Sequence, residues 1–367
     1  MKKTLVALAA LAAIGAQAQS SVTVSGNVDA GHQSINYKGG KSSGITNNGS
    51  STSTLGFSGV EDIGGGVKAV FKLNTDYNIT SVQADGGSTV PTAGTWLNSE
   101  KFVGAQAGFG EIVVGTINTL SLVAAGTGTP FGTAVGSGYR TIYTSDALST
   151  PTSSPARYDN SLRFTSPNIS GFTGNYYYVG KNTNATTTTF TTTYGTYDTT
   201  GVQAFSLLYN QGPANVNYTQ QTEDAVGTNA TYALKATVKT MAGNYTVDNL
   251  TAYAMTQKAT DTSGALSRNT QFVGFKYAMG NLTLIAQRGS AKLSASQFSS
   301  TTTYQVEGNK SSVSGLGADY ALSKRSNLYL RTESISDKAG MATARATIDT
   351  STSTTISRTA IGIKHTF

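Results

Sequence analysis

The 367-residue sequence has no cysteine, two histidines and six prolines, and only 12% of it is charged. Without cysteine there is no disulfide framework, no thiol nucleophile and no thiolate metal site. His32 and His365 have no neighbours at metal-ligand spacing. His365 falls on the apolar side of its alternating segment, a poor place for a base. The G-x-S-x-G match nearest His32, Gly40-Lys41-Ser42-Ser43-Gly44, lies in a Gly/Ser/Asn-rich segment that reads as a loop, not as a strand-to-helix elbow. A histidine-assisted hydrolase therefore has little to build on. The carboxylate pair Glu61-Asp62 opens onto a Gly64-Gly65-Gly66 turn rather than a cleft. Long apolar runs are missing too: beyond the first 18 residues nothing approaches the roughly 20 needed for a membrane-spanning helix. Lysine and arginine outnumber aspartate and glutamate by 26 to 19, yet they are scattered singly. With no basic run and no recognition module, nucleic acid is not an expected partner.

What is present begins with an export signal. Lys2-Lys3, the apolar run Leu5 to Ile14 and the small-x-small motif Ala16-Gln17-Ala18 predict a leader cleaved after residue 18. Losing Lys2 and Lys3 takes the formal charge from +7 to +5. Residues 19–367 show no linker or composition break, which predicts one domain of many short strands. Phe367, His365, Ile363 and Ile361 alternate with Thr366, Lys364, Gly362, Ala360 and Arg358. Val22, Val24, Val28 and Ala30 alternate with Thr23, Ser25, Asn27 and Asp29, and Val67, Ala69, Phe71 and Leu73 with Lys68, Lys72, Asn74 and Asp76. A period of two with an apolar and a polar side describes a wall between two environments. In lipid such a wall must close on itself, since an open edge would leave backbone polar groups unsatisfied. The expectation is an all-β, antiparallel transmembrane barrel with a wet lumen.

The pattern yields 14 to 18 strands, Phe190 to Tyr197 among them. Short turns such as Met279-Gly280-Asn281 alternate with long polar segments near 257–269, 289–311 and 335–355. Bacterial barrels keep short turns on the periplasmic side and long loops outside. An irregular segment from Asn118 to Pro155, whose ionisable groups are Arg140 and Asp146, is the longest connection read from the sequence. Arg157, Asp159, Ser161 and Arg163 are read as one face of the next strand. Phe57, Tyr77, Tyr277 and Phe367 stand near strand ends as candidate headgroup-level anchors. Tyr176 and Tyr178 share a face and could stack sugar rings. A non-conducting surface β-protein or adhesin is the structural alternative.

The chain resembles the general diffusion porins of the Gram-negative outer membrane, in their β-proteobacterial form. The resemblance rests on ordered blocks: Ser21-Val22-Thr23-Val24-Ser25-Gly26-Asn27-Val28-Asp29-Ala30-Gly31, then Leu55 to Phe71 around Gly59-Val60-Glu61-Asp62-Ile63-Gly64, then Phe102-Val103-Gly104 and Phe109-Gly110. Arg157-Tyr158-Asp159-Asn160-Ser161-Leu162-Arg163-Phe164, Ser323-Lys324-Arg325 and the terminal Phe367 complete it. The resemblance implies a 16-stranded barrel, a homotrimer embedded in outer-membrane lipid and lipopolysaccharide, and a third external loop, here 118–155, folded inward as a constriction. It implies that Phe367 is read by the barrel-assembly machinery, and that the cargo is ions and small hydrophilic solutes without a cofactor. Thr54, Ser58, Ser99 and Thr116 stand where relatives often carry basic residues. What remains for the pore is Lys68, Lys72, Arg140, Arg157 and Arg163, opposed by Asp29, Asp76, Asp146 and Asp159. A lumen leaning to one sign enriches the opposite ion, so a weak anion preference is expected; a solute-specific pore, for example for sugars, is the alternative.

Overall fold

The computed structural model describes residues 21–37, 40–79, 97–139, 156–180, 201–224, 235–261, 267–293, 310–338 and 355–367. Seventeen strands form one closed antiparallel sheet. Strand β1 (Ser21–Tyr37) pairs with the last strand, β17 (Thr355–Thr366), through residues 27–37. On its other side it pairs with β2 (Gly40–Thr46) in its later half and β3 (Thr54–Gly64) in its earlier half. Strands β2 and β3 therefore share one position in the wall, interrupted by residues 47–53, and the barrel has 16 staves. Closure leaves no sheet edge.

The remaining staves follow in chain order: β4 (Val67–Asp76), β5 (Lys101–Ala107), β6 (Gly110–Asn118), β7 (Arg157–Thr165) and β8 (Phe172–Val179). Next come β9 (Gly201–Gln211), β10 (Ala214–Asp224), β11 (Lys235–Val247) and β12 (Leu250–Asp261). The circuit ends with β13 (Ser267–Met279), β14 (Leu282–Leu293), β15 (Lys310–Ala321), β16 (Ser326–Asp337) and β17. At one end of the barrel the connections are tight. Between β3 and β4, Gly64, Gly65 and Gly66 all take positive φ (90°, 64° and 77°), a conformation that side chains with a Cβ seldom adopt.

Alternation places apolar side chains on the outer face. Val273, Phe275 and Tyr277 of β13, Leu328 and Leu330 of β16, and Ile361 and Ile363 of β17 are all exposed. Between them, Phe272, Arg331, Glu333 and Ala360 are buried on the inner side. Tyr176 and Tyr178 fall on the outer face, both more than 40% exposed, with Tyr177 buried between them. They cannot stack a solute inside the barrel, so the sugar-stacking reading loses its residues. Tyr77 is no outward anchor either: it is half-buried beyond the end of β4, and its hydroxyl donates to the Asn27 carbonyl at 3.2 Å.

The 118–155 connection is not wholly irregular. Thr119 accepts the Leu122 amide at 3.2 Å and caps a nine-residue helix, α1 (Leu120–Gly128). Leu120 belongs to a buried cluster with Val113, Ile117, Tyr158 and Tyr177, while Ala125 belongs to one with Ala242 of β11 and Met255 of β12, strands against which the helix rests. The helix thus touches the inner faces of both neighbouring and distant strands. The sequence-based candidate strand Phe190 to Tyr197 lies outside the described residues.

Candidate functional site: the charged inner wall

Two charge clusters line the inner wall. The first belongs to β4 to β7. Lys72 Nζ meets Glu100 Oε2 at 2.7 Å. The other Glu100 oxygen accepts the Asn118 amide at 3.2 Å and stands 3.9 Å from Arg163. Arg163 pairs with Glu111 at 3.1 Å, its guanidinium 5.6 Å from the centre of the Phe102 ring. Register brings these groups together: Lys72 lies opposite Phe102, and Glu111 opposite Thr165, two residues from Arg163. Arg157 reaches Asp76 at 3.3 Å, Asn118 Oδ1 at 3.2 Å and the Asn98 carbonyl at 3.1 Å.

The second cluster joins β1, β15, β16 and β17. Asp29 is fully buried and accepts the Tyr329 hydroxyl at 2.6 Å and the Ser50 and Ser51 amides at 2.8 and 2.7 Å. Arg331 is buried, donates to both Asp319 oxygens at 2.8 and 3.0 Å and to Ser50 Oγ at 3.1 Å, and faces the rings of Phe131 and Tyr329. Glu333 lies opposite Arg358 in register and accepts from its guanidinium, Nε at 2.7 Å. The other Glu333 oxygen accepts the amides of Gly136 and Gly138 at 3.0 and 2.9 Å. Gln287 donates to the carbonyls of Gly136 and Ser137, both at 2.9 Å. The α1 segment leaves β6 and is tied by these bonds to β14 and β16.

Of the nine pore residues expected from sequence, Lys72, Arg157, Arg163 and Asp76 gather in the first cluster. Each basic member has a carboxylate partner. Lys68 shares the Lys72 side of β4, is exposed near the Gly64–Gly66 turn, and has no ion-pair partner among the described residues. Asp29 is consumed by hydrogen bonds from β16 and the 47–53 segment. Asp159 does not share a face with Ser161 and Arg163. A bulge, with Asn160 at φ 54°, breaks the alternation, and Tyr158 takes the buried place. Asp159 is exposed and accepts the Thr116 hydroxyl at 2.6 Å. Arg140 and Asp146 lie outside the described residues.

Sequence reasoning passed over Glu100, Glu111, Arg331, Glu333 and Lys276. Lys276 faces inward on β13, its Nζ 5.6 Å from the centre of the Tyr253 ring. Lys364 faces inward on β17, opposite Asp29 and Asn327 in register. Among the described residues, neither lysine has a carboxylate at ion-pair distance. Parity alone would have found Lys276 and Arg331; their pairing needed the register.

A closed 16-stave barrel, apolar outside and charged inside, is the architecture of an outer-membrane pore. The profile described as "Gram-negative porin" matches residues 4–340. The chain belongs to the Gram-negative porin family. An outer membrane porin protein of Bordetella pertussis is 27% identical to this porin over 369 residues, 90% of this chain and 93% of the relative. Outer membrane porin protein 32 of Delftia acidovorans is 41% identical over 118 residues, 31% of each chain. The match to major outer membrane protein P.IB of Neisseria gonorrhoeae, 36% identical, spans about a third of each chain. Among solved structures, an anion-selective porin from Comamonas acidovorans superposes with a TM-score of 0.70 at 20% identity, covering 95% of this porin and all of that chain. OmpT of Vibrio cholerae gives 0.61 at 13% identity, covering 95% and 98%. Those two likenesses speak to the barrel fold.

Proposed function

We propose that this porin is a passive diffusion channel for ions and small hydrophilic solutes across the outer membrane, with a weak preference for anions. One observation carries the reading: the barrel is closed, and its inner face holds ionic and amide groups while its outer face is apolar. A central passage of this kind conducts without chemistry or a cofactor. The weakness follows from the pairing. Lys72, Arg157 and Arg163 have their charge answered within ion-pair distance by Glu100, Asp76 and Glu111. Paired charges act on a permeating ion as short-range dipoles, so the residual sign comes from inward cations that have no carboxylate at ion-pair distance among the described residues, Lys68, Lys276 and Lys364. The anion-selective Comamonas structure is in keeping with this sign.

The finer features belong to the same proposal. Residues 1–18 serve as a cleaved export signal. Residues 118–155 are the inward-folded constriction loop, supported by the bonds of Gly136 and Gly138 to Glu333 and by the packing of α1 against β10 to β12. Arg140 and Asp146 would sit on that loop. The tight turns face the periplasm and the long connections face outward. The working unit is a homotrimer, inserted by the assembly machinery with Phe367 as its signal, in contact with lipid and lipopolysaccharide.

The deciding experiment is reversal potential under a salt gradient for the folded protein in a planar bilayer. The wild type should show anion preference, and Lys68→Gln, Lys276→Gln and Lys364→Gln together should bring the potential to zero or reverse it. A cation preference in the wild type overturns the sign. Absence of conductance from verified folded protein overturns the channel and favours the surface-protein alternative.

A further inference from the structure

The outer face carries a charge pattern that conduction does not use. Strand register places Lys239 opposite Lys258, Lys258 opposite Asn269, Asn269 opposite Lys292 and Lys292 opposite Lys310. These five residues form one straight row across β11 to β15, and each is exposed on the outward side. Among the described residues none of the four lysines has an acidic partner. The outward acid nearest in register, Asp224, is paired with Lys235 at 3.3 Å. Like charges directly opposite one another in a sheet repel, so the row is an unfavourable arrangement unless an anion answers it.

Its position says which kind of anion. One row nearer the tight turns lies a polar line, Thr256, Gln271, Ser290 and Ser312, in register across β12 to β15. Still nearer come Val273, Phe275, Leu284 and Leu316, all exposed, with one cation among them, Arg288, which stands opposite Val273 and donates to Ser314 Oγ at 3.1 Å. From Met279 to Asn269 on β13 is ten residues, about 33 Å along the strand and about 25 Å perpendicular to the membrane at the usual strand tilt, the height of a barrel's apolar band. Apart from Arg288, the wall therefore grades from apolar through hydroxyl and amide to cationic at the level of lipid headgroups. Lysine stems can lie along the apolar surface while the ammonium groups reach outward. The row spans four strand gaps, about 19 Å.

We propose that this row is a docking surface for phosphorylated lipid headgroups of the outer leaflet, with the lysines on phosphate and the Thr256–Ser312 line bonding the headgroup's sugar. This rests on the outer-membrane orientation proposed above and assigns a site to the lipid contact. The test titrates folded, detergent-solubilised protein with diphosphoryl lipid A and with its dephosphorylated form, bound lipid being read by native mass spectrometry. The wild type should prefer the diphosphoryl form by roughly tenfold or more, and the preference should shrink as salt rises. Lys239→Gln, Lys258→Gln, Lys292→Gln and Lys310→Gln together should abolish it, while Lys324→Gln with Arg325→Gln, at the opposite end, should leave it intact. Unchanged conductance of the fourfold variant in planar bilayers shows that the barrel has folded. Equal binding of both lipids by the wild type, or an undiminished preference in the fourfold variant, overturns the site while leaving the channel reading standing. Loss of conductance from folded wild type overturns the channel reading instead.

Discussion

Glu100 has as many partners as Asp29 or Arg157, and it alone of the three joins two cations. It is buried, answers Lys72 and Arg163 and accepts the Asn118 amide. Glu100→Gln keeps the shape and removes the charge, leaving two cations without their shared carboxylate. The expected outcome is a reversal potential shifted toward stronger anion preference, with a loss of roughly 1–3 kcal/mol in urea unfolding of the barrel. An unchanged potential would mean that Lys72 and Arg163 do not face the permeation path. Glu100 escaped the sequence reading because it precedes β5 in a polar stretch with no alternation to place it. Asp159 misled for the opposite reason, its apparent parity being broken by a bulge that leaves no mark in residue type.

At the scale of elements, the strands that could be read from sequence are those with contrast between their faces, such as β4, β13 and β17. Strand β10 was missed. Its outer Ala214, Val216 and Tyr218 alternate with polar Asn215, Asn217 and Thr219, but its outer Gln220 and Thr222 are as polar as inner Gln221, so the contrast a period of two needs covers only half the strand. Helix α1 was missed because nine residues containing two glycines and a threonine lie below the length at which helical periodicity declares itself. Its anchorage is testable. Glu333→Gln should weaken the hold on the Gly136 and Gly138 amides and raise single-channel conductance and current noise, and it should lower heat stability, because it also takes the buried carboxylate from Arg358. Gly315→Val probes the same contact from the wall: a Cβ at Gly315 would collide with the Gly136 carbonyl. This variant should displace the segment and alter conductance in the same experiment, whereas conductance equal to wild type for both would separate the segment from the pore.

For the whole molecule, the closing seam matters most. Phe367 exchanges backbone hydrogen bonds with Gly26 at 3.1 and 3.0 Å, completing the ladder between β1 and β17. Deleting Phe367 removes both bonds and its ring from the outer rim. The yield of folded, heat-modifiable protein should fall, while the channels that do form should conduct normally; a normal yield would deny Phe367 a part in assembly. The closed, two-sided wall was legible because lipid and water impose opposite demands on alternate residues. The partners of each inward charge were not, since they come from strands as distant in sequence as β1 and β16.

The three inward lysines with no carboxylate at ion-pair distance among the described residues have a consequence for where such a cell lives. The reach of an unanswered charge is about 30 Å in 0.01 M salt and about 3 Å in 1 M, whereas the paired groups of the wall lose little. In dilute fresh water the same opening would sort solutes by charge, and in brine it would sort them by size alone. The surroundings, and not any moving part, would set how discriminating the envelope is.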